Sequence, residues 1–424
     1  MGRDSKYDKV GRLWMLSIIP ANIAYGPLSI LITLYILQLG GGILDVSYAI
    51  TLSGMISIPA VFLWGFITDL VNRRKALIVF PYFFTGILIA GMFFIKSIYG
   101  IIGLYAVISF VNAATGAPIN LLIMENGKRS GWTHNFSLLQ MLASLGATIG
   151  YVVSWIITGV ASLGLLIIVL AVSSVLSAFI AAKTIEEPAS LEKSVSINKS
   201  MNYFLYRLVG IPHMVVRIPN PMNMRKWFEF RNIARNKRNL VIAFYAISFI
   251  FFFGSSIFNT EYPVGLKLGG LTESAIFFIV FSAMVIQTLT FYYYDNFTKN
   301  LNIKAASRLA LLLRGASYIL IGIVFVGLKG FDFFTGNFLF YVIASGVAYA
   351  IYYPTSYAIL FKTLGPKGRG SAIGIYSSLI GIGTFTGSLV SGGLAVAYGF
   401  GLTFVAGGVL MLVCSIMYKR LSEV

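Results

Sequence analysis

Twelve apolar stretches, each close to the twenty or so residues that a helix needs to cross a bilayer, alternate along the chain with short polar connections. They cover residues 13–38, 47–68, 76–95, 98–123, 135–157, 163–182, 239–262, 274–294, 308–328, 338–361, 371–394 and 402–418. Hydrocarbon offers the backbone no partners, so a spanning segment must satisfy its own N–H and C=O groups. Continuous apolar runs do this as helices, whereas barrel strands would alternate in polarity. The expectation is an all-α membrane protein of twelve transmembrane helices. Composition agrees: 58% of the 424 residues are hydrophobic and 11% charged, and the mean hydropathy is +0.84. That leaves too few polar side chains to cover a water-soluble fold of this length. The first run is too long for the core of a signal peptide and no small-residue cleavage site follows it, so it reads as a retained span.

The net charge of +18 raises the question of nucleic acid, and the placement of the charge answers it. Twenty-eight of the 32 lysines and arginines fall in the N-terminal tail, in every second connection or in the C-terminal tail, against Lys96, Lys267 and Lys329 on the opposite side and Arg314 inside the ninth span. This is the positive-inside pattern, and it places both termini in the cytoplasm of a cell bounded by this plasma or inner membrane. No nucleic-acid partner is expected. The connection from about Lys183 to Asn239 divides the spans six and six, giving an N-terminal bundle over 1–182, a central loop over 183–238 and a C-terminal bundle over 239–424. Basic residues interleaved with Tyr203, Phe204, Tyr206, Trp227, Phe228 and Phe230 suggest short amphipathic helices in that loop, lying on the anionic cytoplasmic leaflet.

The two halves repeat. Shifting the fourth span by 236 residues sets Tyr105 on Tyr341, Ser109 on Ser345 and Pro118 on Pro354. Shifting the fifth by 237 sets Gly146 on Gly383 and Gly150 on Gly387. The turns Lys128-Arg-Ser-Gly131 and Lys367-Gly-Arg-Gly370 also correspond. Six is an even number, so the halves run in the same direction, related by a pseudo-twofold axis along the membrane normal. Two such bundles leave a cleft between them that rocking can expose to either side.

After the second span comes Gly65-Phe-Ile-Thr-Asp69-Leu-Val-Asn-Arg73-Arg74-Lys75, a glycine, an aspartate four residues on and an arginine pair. This resembles the signature loop of the major facilitator superfamily. Gly146-Ala-Thr-Ile-Gly150 is similar to that family's glycine-rich motif in the fifth span, although Tyr151 stands where antiporters often carry proline. The resemblance extends over the whole chain and implies a secondary transporter working by alternating access, not an enzyme. Gly65 would let another helix approach, and Asp69 would pair with Arg73 or Arg74 or face the positive N-terminal end of the eleventh helix, latching the cytoplasmic side. Asp295 and Lys299 keep the spacing in the second half, with Phe291 in place of the glycine.

The resemblance also implies that the first, fourth, seventh and tenth helices line the cleft, and each carries a polar stripe at helical spacing. The stripes are Asn22, Tyr25, Ser29 and Thr33; Tyr105, Ser109, Asn112 and Gly116; Ser248, Ser255 and Asn259; and Tyr341, Ser345, Tyr349 and Tyr352, with Gln140 and Gln287 on flanking helices. Polar groups inside the membrane need partners or water, so the stripes either share a hydrated cavity or hydrogen-bond from helix to helix. Asp69, Glu125, Glu261 and Asp295 fall near span ends, so the cavity is expected to lack charge and to suit a small neutral or amphipathic organic solute. Glu125 is the candidate for coupling to a proton or sodium, with a salt bridge to Arg129 or a neighbouring loop as its competing role, and Arg314 is expected to snorkel or pair structurally, with anion binding as its alternative. The fourth span reads Asn112-Ala-Ala-Thr-Gly116, without the arginine of the family's proton antiporters, which weighs against a drug/proton exchanger.

Other classes find little support. A receptor or sensor on this fold would be expected to carry a large extra domain. Gly365-Pro-Lys-Gly-Arg-Gly370 has the wrong spacing for a phosphate loop, and Gly381-Ile-Gly383 lies in an apolar helix rather than a strand–turn–helix. Cys414 has no partner, and His134 and His213 are isolated, so neither a disulfide nor a metal site is expected and no cofactor is implied. The partners expected are the bilayer and a small-molecule substrate, for a monomer.

Overall fold

The computed structural model describes residues 13–71, 73–125, 132–186, 237–294, 302–363 and 369–420. The described segments are helices joined by turns: α1 Leu13–Gln38, α2 Ile43–Leu70, α3 Ala76–Phe94, α4 98–125, α5 Trp132–Val160, α6 Leu163–Thr184, α7 Lys237–Leu268, α8 Glu273–Tyr292, α9 Ile303–Gly327, α10 330–363, α11 369–398 and α12 400–420. Eleven stretches are long and apolar enough to cross a membrane, and one of them, Ser378–Lys419, holds two spans. Gly399 divides it with a φ of +78°, a left-handed conformation that only glycine adopts cheaply. The chain therefore has the twelve spans read from its hydropathy. The expected amphipathic segments of the central loop, and Asp295 and Lys299, lie outside the described residues.

Several helices outrun the apolar stretches that announce them. Hydropathy ends the seventh span at residue 262, where Asn259, Thr260 and Glu261 interrupt the apolar run, yet the helix continues to Leu268. Glu261 is therefore interior to a span, about 10 Å from its end at 1.5 Å per residue, and not at a helix end as its neighbours suggest.

Helix packing reproduces the duplication. In the first half α1 packs on α5, α3 on α6 and α2 on α4, and the corresponding pairs α7 with α11, α9 with α12 and α8 with α10 form the second. Glycines set the approach. A methyl group at Gly150 would meet the Ile23 carbonyl of α1, and one at Gly387 would fall within contact of the Phe253 carbonyl of α7. Gly86 of α3 lies on the Ala171 carbonyl and Val175 of α6, as Gly315 of α9 lies on the Gly408 carbonyl and Leu412 of α12. These contacts fix structural equivalences that sequence shifts alone leave unresolved: α1 maps onto α7 at an offset of 230 and α3 onto α9 at 229. The turns between the first two helices of each half match as well, with Gly40 at φ +86° and Gly270 at φ +93°.

Tyr151, the departure from the family's proline, has a structural role. Helix α1 breaks at Gly26-Pro27, since proline cannot donate a backbone hydrogen bond. The Tyr151 hydroxyl donates to the Gly26 carbonyl at 2.7 Å, pinning that break to α5.

Candidate functional site

The halves meet along two antiparallel seams. In the first, α2 runs against α11: Thr51 Oγ1 donates to Ser388 Oγ at 3.1 Å, Gly54 faces Phe385, and Gly381 faces Ile58. Ser47 abuts Gly392 so closely that a methyl group there would collide with its hydroxyl. Contacts recur every three or four residues, the spacing of one helix face. In the second seam α5 runs against α8. Trp155 stacks on Phe281 at 5.9 Å and tilts on Phe278 at 5.0 Å, and Ser274 Oγ donates to the Trp155 carbonyl at 3.2 Å. Both seams lie at the end of the bundle that carries the short turns 39–42, 161–162 and 269–272. Toward the opposite end, where the basic loops lie, no atom among the described residues comes within 4 Å of the space where a Gly65 side chain would point. The close approach expected at Gly65 is not made by the described residues in this conformation.

Glu261 of α7 closes the first seam. Its side chain is fully buried, and its Oε1 accepts from Ser47 Oγ of the first half at 2.6 Å and from Ser391 Oγ of the second at 2.8 Å. Among the described residues Oε2 has no hydrogen-bond partner and no basic side chain pairs with the group. By the 230-residue equivalence its counterpart is Leu31 of α1, also buried. One seam is thus polar and carries an acid, and the other is aromatic. The carboxylate escapes a linear reading because it interrupts its apolar run just as the end of a span does. Ser47 and Ser391, each facing it across a helix pair, give no linear signal.

The predicted cavity residues divide. Ser29 and its structural counterpart Asn259 are both exposed, Gln140 is exposed, and Asn22, Asn112, Gln287 and Tyr349 are half-buried. Asn22 spends one amide proton on the Ile18 carbonyl at 2.8 Å. Asn112 sits where α4 tightens into a 3₁₀ turn at Ala113–Thr115, and its carbonyl accepts from the Thr115 hydroxyl. Three other residues face inward within a bundle. The Tyr25 hydroxyl is buried beside Thr85 and Ser174, on α3 and α6. Ser255 is buried. Tyr352, expected on the polar wall, is 1% exposed and stacks on Phe251 at 4.0 Å with Tyr418 on its edge. A phenol with an apolar ring packs as readily as it lines water, and spacing alone does not separate the two. Ser109 bonds Ser53 of α2 at 2.7 Å, the helix-to-helix alternative.

Of the latch residues, Arg73 is exposed and Arg74 buried. The Arg74 guanidinium folds back onto the Thr68 and Val71 carbonyls, capping the end of α2. The side chains of Asp69 and Glu125 lie outside the described residues.

Arg314 does not snorkel. It is 3% exposed and turns into the second half, where Nε donates to the Tyr318 hydroxyl at 2.9 Å and Nη1 to the Ala344 carbonyl at 3.3 Å. Its Cζ lies 5.2–5.3 Å from the ring centroids of Phe251, Tyr318 and Tyr349. The Ala344 carbonyl belongs to a π-helical turn over Val342–Ala348 in α10, a widening that recurs at functional sites.

Two six-helix bundles related by a repeat, meeting along paired seams closed at one end, define a membrane transporter of the double-bundle type. The Major Facilitator Superfamily model matches residues 14–331 and 304–423, and the chain belongs to that family. A search of curated proteins found no match. Among solved structures, the chain is similar to a point mutant of the peptide transporter POT in complex with alafosfalin, at 14% identity and a TM-score of 0.72 over 96% of this chain and 93% of that one. It is similar to a bacterial homologue of the human lysosomal transporter Spinster, in an inward-facing and unoccupied conformation, at 11% identity and 0.70 over 97% and 96%. A point mutant of the nucleoside transporter NupG matches at 13% and 0.67 over 96% and 98%. Identities this low establish the fold alone.

Proposed function

We propose that this protein moves a small neutral or amphipathic organic solute across the cell membrane by rocking its two halves about a central cleft. The observation that carries this reading is the geometry of the seams: two antiparallel helix pairs, equivalent under the internal repeat, are zipped at the short-turn end, while toward the basic-loop end Gly65 of α2 meets no atom of the described residues within 4 Å of its side-chain position. With the basic loops cytoplasmic, this conformation faces inward. Ser29, Asn259, Asn112, Gln140, Gln287 and Tyr349 supply the polar wall.

The opposite conformation follows from the register of the first seam. Seven residues beyond the Ile58–Gly381 contact, the same antiparallel step brings Gly65 onto Gly374, and four further on it brings Asp69 to Gly370 at the start of α11. Two glycines allow the backbones to touch, and the carboxylate of Asp69 meets the positive end of a helix. The signature loop thus becomes the inner latch when the outer seam opens.

Glu261 is the coupling group in this scheme, in preference to Glu125. Closing the seam buries its carboxyl between the halves and opening it returns the carboxyl to water, so proton exchange at this group is tied to the conformational cycle. The test is uptake by proteoliposomes across a panel of metabolites and drugs, with and without an inward proton gradient. Saturable uptake of at least one solute, accelerated by the gradient in the native protein and indifferent to it in Glu261→Gln, is the expected result. Uptake equally gradient-driven in the variant would remove Glu261 from the mechanism, and a panel without any transported solute would count against the transport reading.

A further inference from the structure

The guanidinium of Arg314 sits at mid-membrane with no acid beside it among the described residues. It is at the middle of α9, and the residues around it come from the middle of α7 and α10. Its hydrogen bonds, from Nε and Nη1, go to a phenol and a carbonyl. Cations inside a bilayer are normally paired or placed for function. Aromatic faces offset part of the cost, yet the two hydrogen bonds use only two of the five N–H donors a guanidinium carries.

The internal repeat shows that the fold does not require this charge. Gly86 and Gly315 occupy equivalent places, so Arg314 corresponds to Thr85, a fully buried hydroxyl in the first half. The same helix crossing is built there without a cation.

Two further features converge on the guanidinium. Ser255 Oγ, on the same face of α7 as Phe251, is buried beside the Tyr318 side chain and meets no partner at hydrogen-bonding distance among the described residues. Of the three rings around Arg314, Phe251 and Tyr318 are sealed, while Tyr349 is half-buried on α10, one of the cleft helices.

We propose that Arg314, Ser255 and Tyr349 form an anion subsite that binds the carboxylate of an amphipathic organic acid, reached from the cleft by displacing the Tyr349 ring. One guanidinium edge and one hydroxyl offer enough donors for a monoanion in a low-dielectric site. No second cation is present among the described residues around it to neutralise a phosphate dianion. The surrounding rings suit an apolar body. This rests on the transport reading and narrows its solute class.

The experiment is thermal unfolding of the full-length protein in detergent, with benzoate, phenylacetate and hexanoate as probes, against benzyl alcohol, chloride and inorganic phosphate. At least one carboxylate is expected to raise the Tm saturably by several degrees, with benzyl alcohol and the inorganic anions inert. Arg314→Gln should weaken that carboxylate tenfold or more, and Ser255→Ala several-fold. No response to any carboxylate, an equal response to benzyl alcohol or phosphate, or undiminished affinity in Arg314→Gln would overturn the assignment. Should Arg314→Gln fail to fold, unchanged affinity in Ser255→Ala would overturn it as well. Disulfide trapping of Thr51→Cys with Ser388→Cys reads the alternation of the halves without a ligand. A failed carboxylate response with trapping intact would therefore remove the subsite and leave the transport reading standing.

Discussion

Glu261 holds two serines from opposite halves on a single oxygen, so its removal should act on the balance between conformations before it acts on folding. Hydrogen bonds of this kind contribute on the order of 0.5–1.5 kcal/mol each, and a hydroxyl left buried without its partner costs about 1–3 kcal/mol. Glu261→Ala loses both and should shift the population away from the closed outer seam by at least tenfold. Glu261→Gln keeps one acceptor and should shift it less. Spin-label distances across Thr51 and Ser388 would measure the shift, and an Ala variant as closed as the native protein would contradict the assignment. Neither this residue nor Arg314 discloses its place in the linear sequence. Hydropathy treats a charge as the end of a span or as something that reaches for the interface. Both have tertiary explanations instead: Glu261 is met by hydroxyls 130 and 214 residues away in the chain, and Arg314 is enclosed by rings from three helices. Asn22, Ser29 and Asn259 are visible because their polar side chains interrupt apolar runs at helical spacing, but spacing cannot say that Tyr25 and Tyr352 turn inward.

Helix existence is legible because hydrocarbon leaves the backbone no alternative, and helix ends are not, because polar residues near an end can be satisfied by a neighbour. The extension of α7 beyond Glu261 is an outcome of that ambiguity, whereas Gly399, with its positive φ, separates α11 from α12 where the hydropathy already parts the two spans. The glycine pairs can be read from the repeat, but their partners need the fold. Gly387 and Gly393 lie on the same helix and make opposite predictions. Replacing a helical glycine by alanine gains about 1 kcal/mol of propensity. At Gly393, with nothing within 4 Å of the new methyl, Gly393→Ala should leave the Tm in detergent unchanged or raise it slightly. At Gly387 the methyl would strike the Phe253 carbonyl, and overpacking costs typically about 1–3 kcal/mol. Gly387→Ala should therefore lower the Tm despite the better propensity, and an increase there would show that α7 and α11 are not in close contact.

At the scale of the whole molecule, the proposed mechanism takes its hinge from the repeat and its direction from the repeat's imperfections. The paired seams are equivalent in backbone placement and unlike in chemistry, one acid and serine, the other tryptophan and phenylalanine. Arg314 against Thr85 repeats that asymmetry within the bundles. In the proposed mechanism two identical halves would rock without preference, whereas an acid in one seam and a cation in one bundle would give protons and solute different places to act.

Disulfide trapping of two cysteine pairs, introduced into a chain whose native Cys414 has been replaced by alanine, reads the alternation directly. Thr51→Cys with Ser388→Cys spans the outer seam, where the native oxygens are 3.1 Å apart, and Gly65→Cys with Gly374→Cys spans the inner end that the same register brings together. Each pair should cross-link when present alone, and in a chain carrying all four cysteines no single molecule should hold both bonds. Molecules bearing both disulfides at once, or an inner pair that never links, would contradict a protein that opens one end only by closing the other.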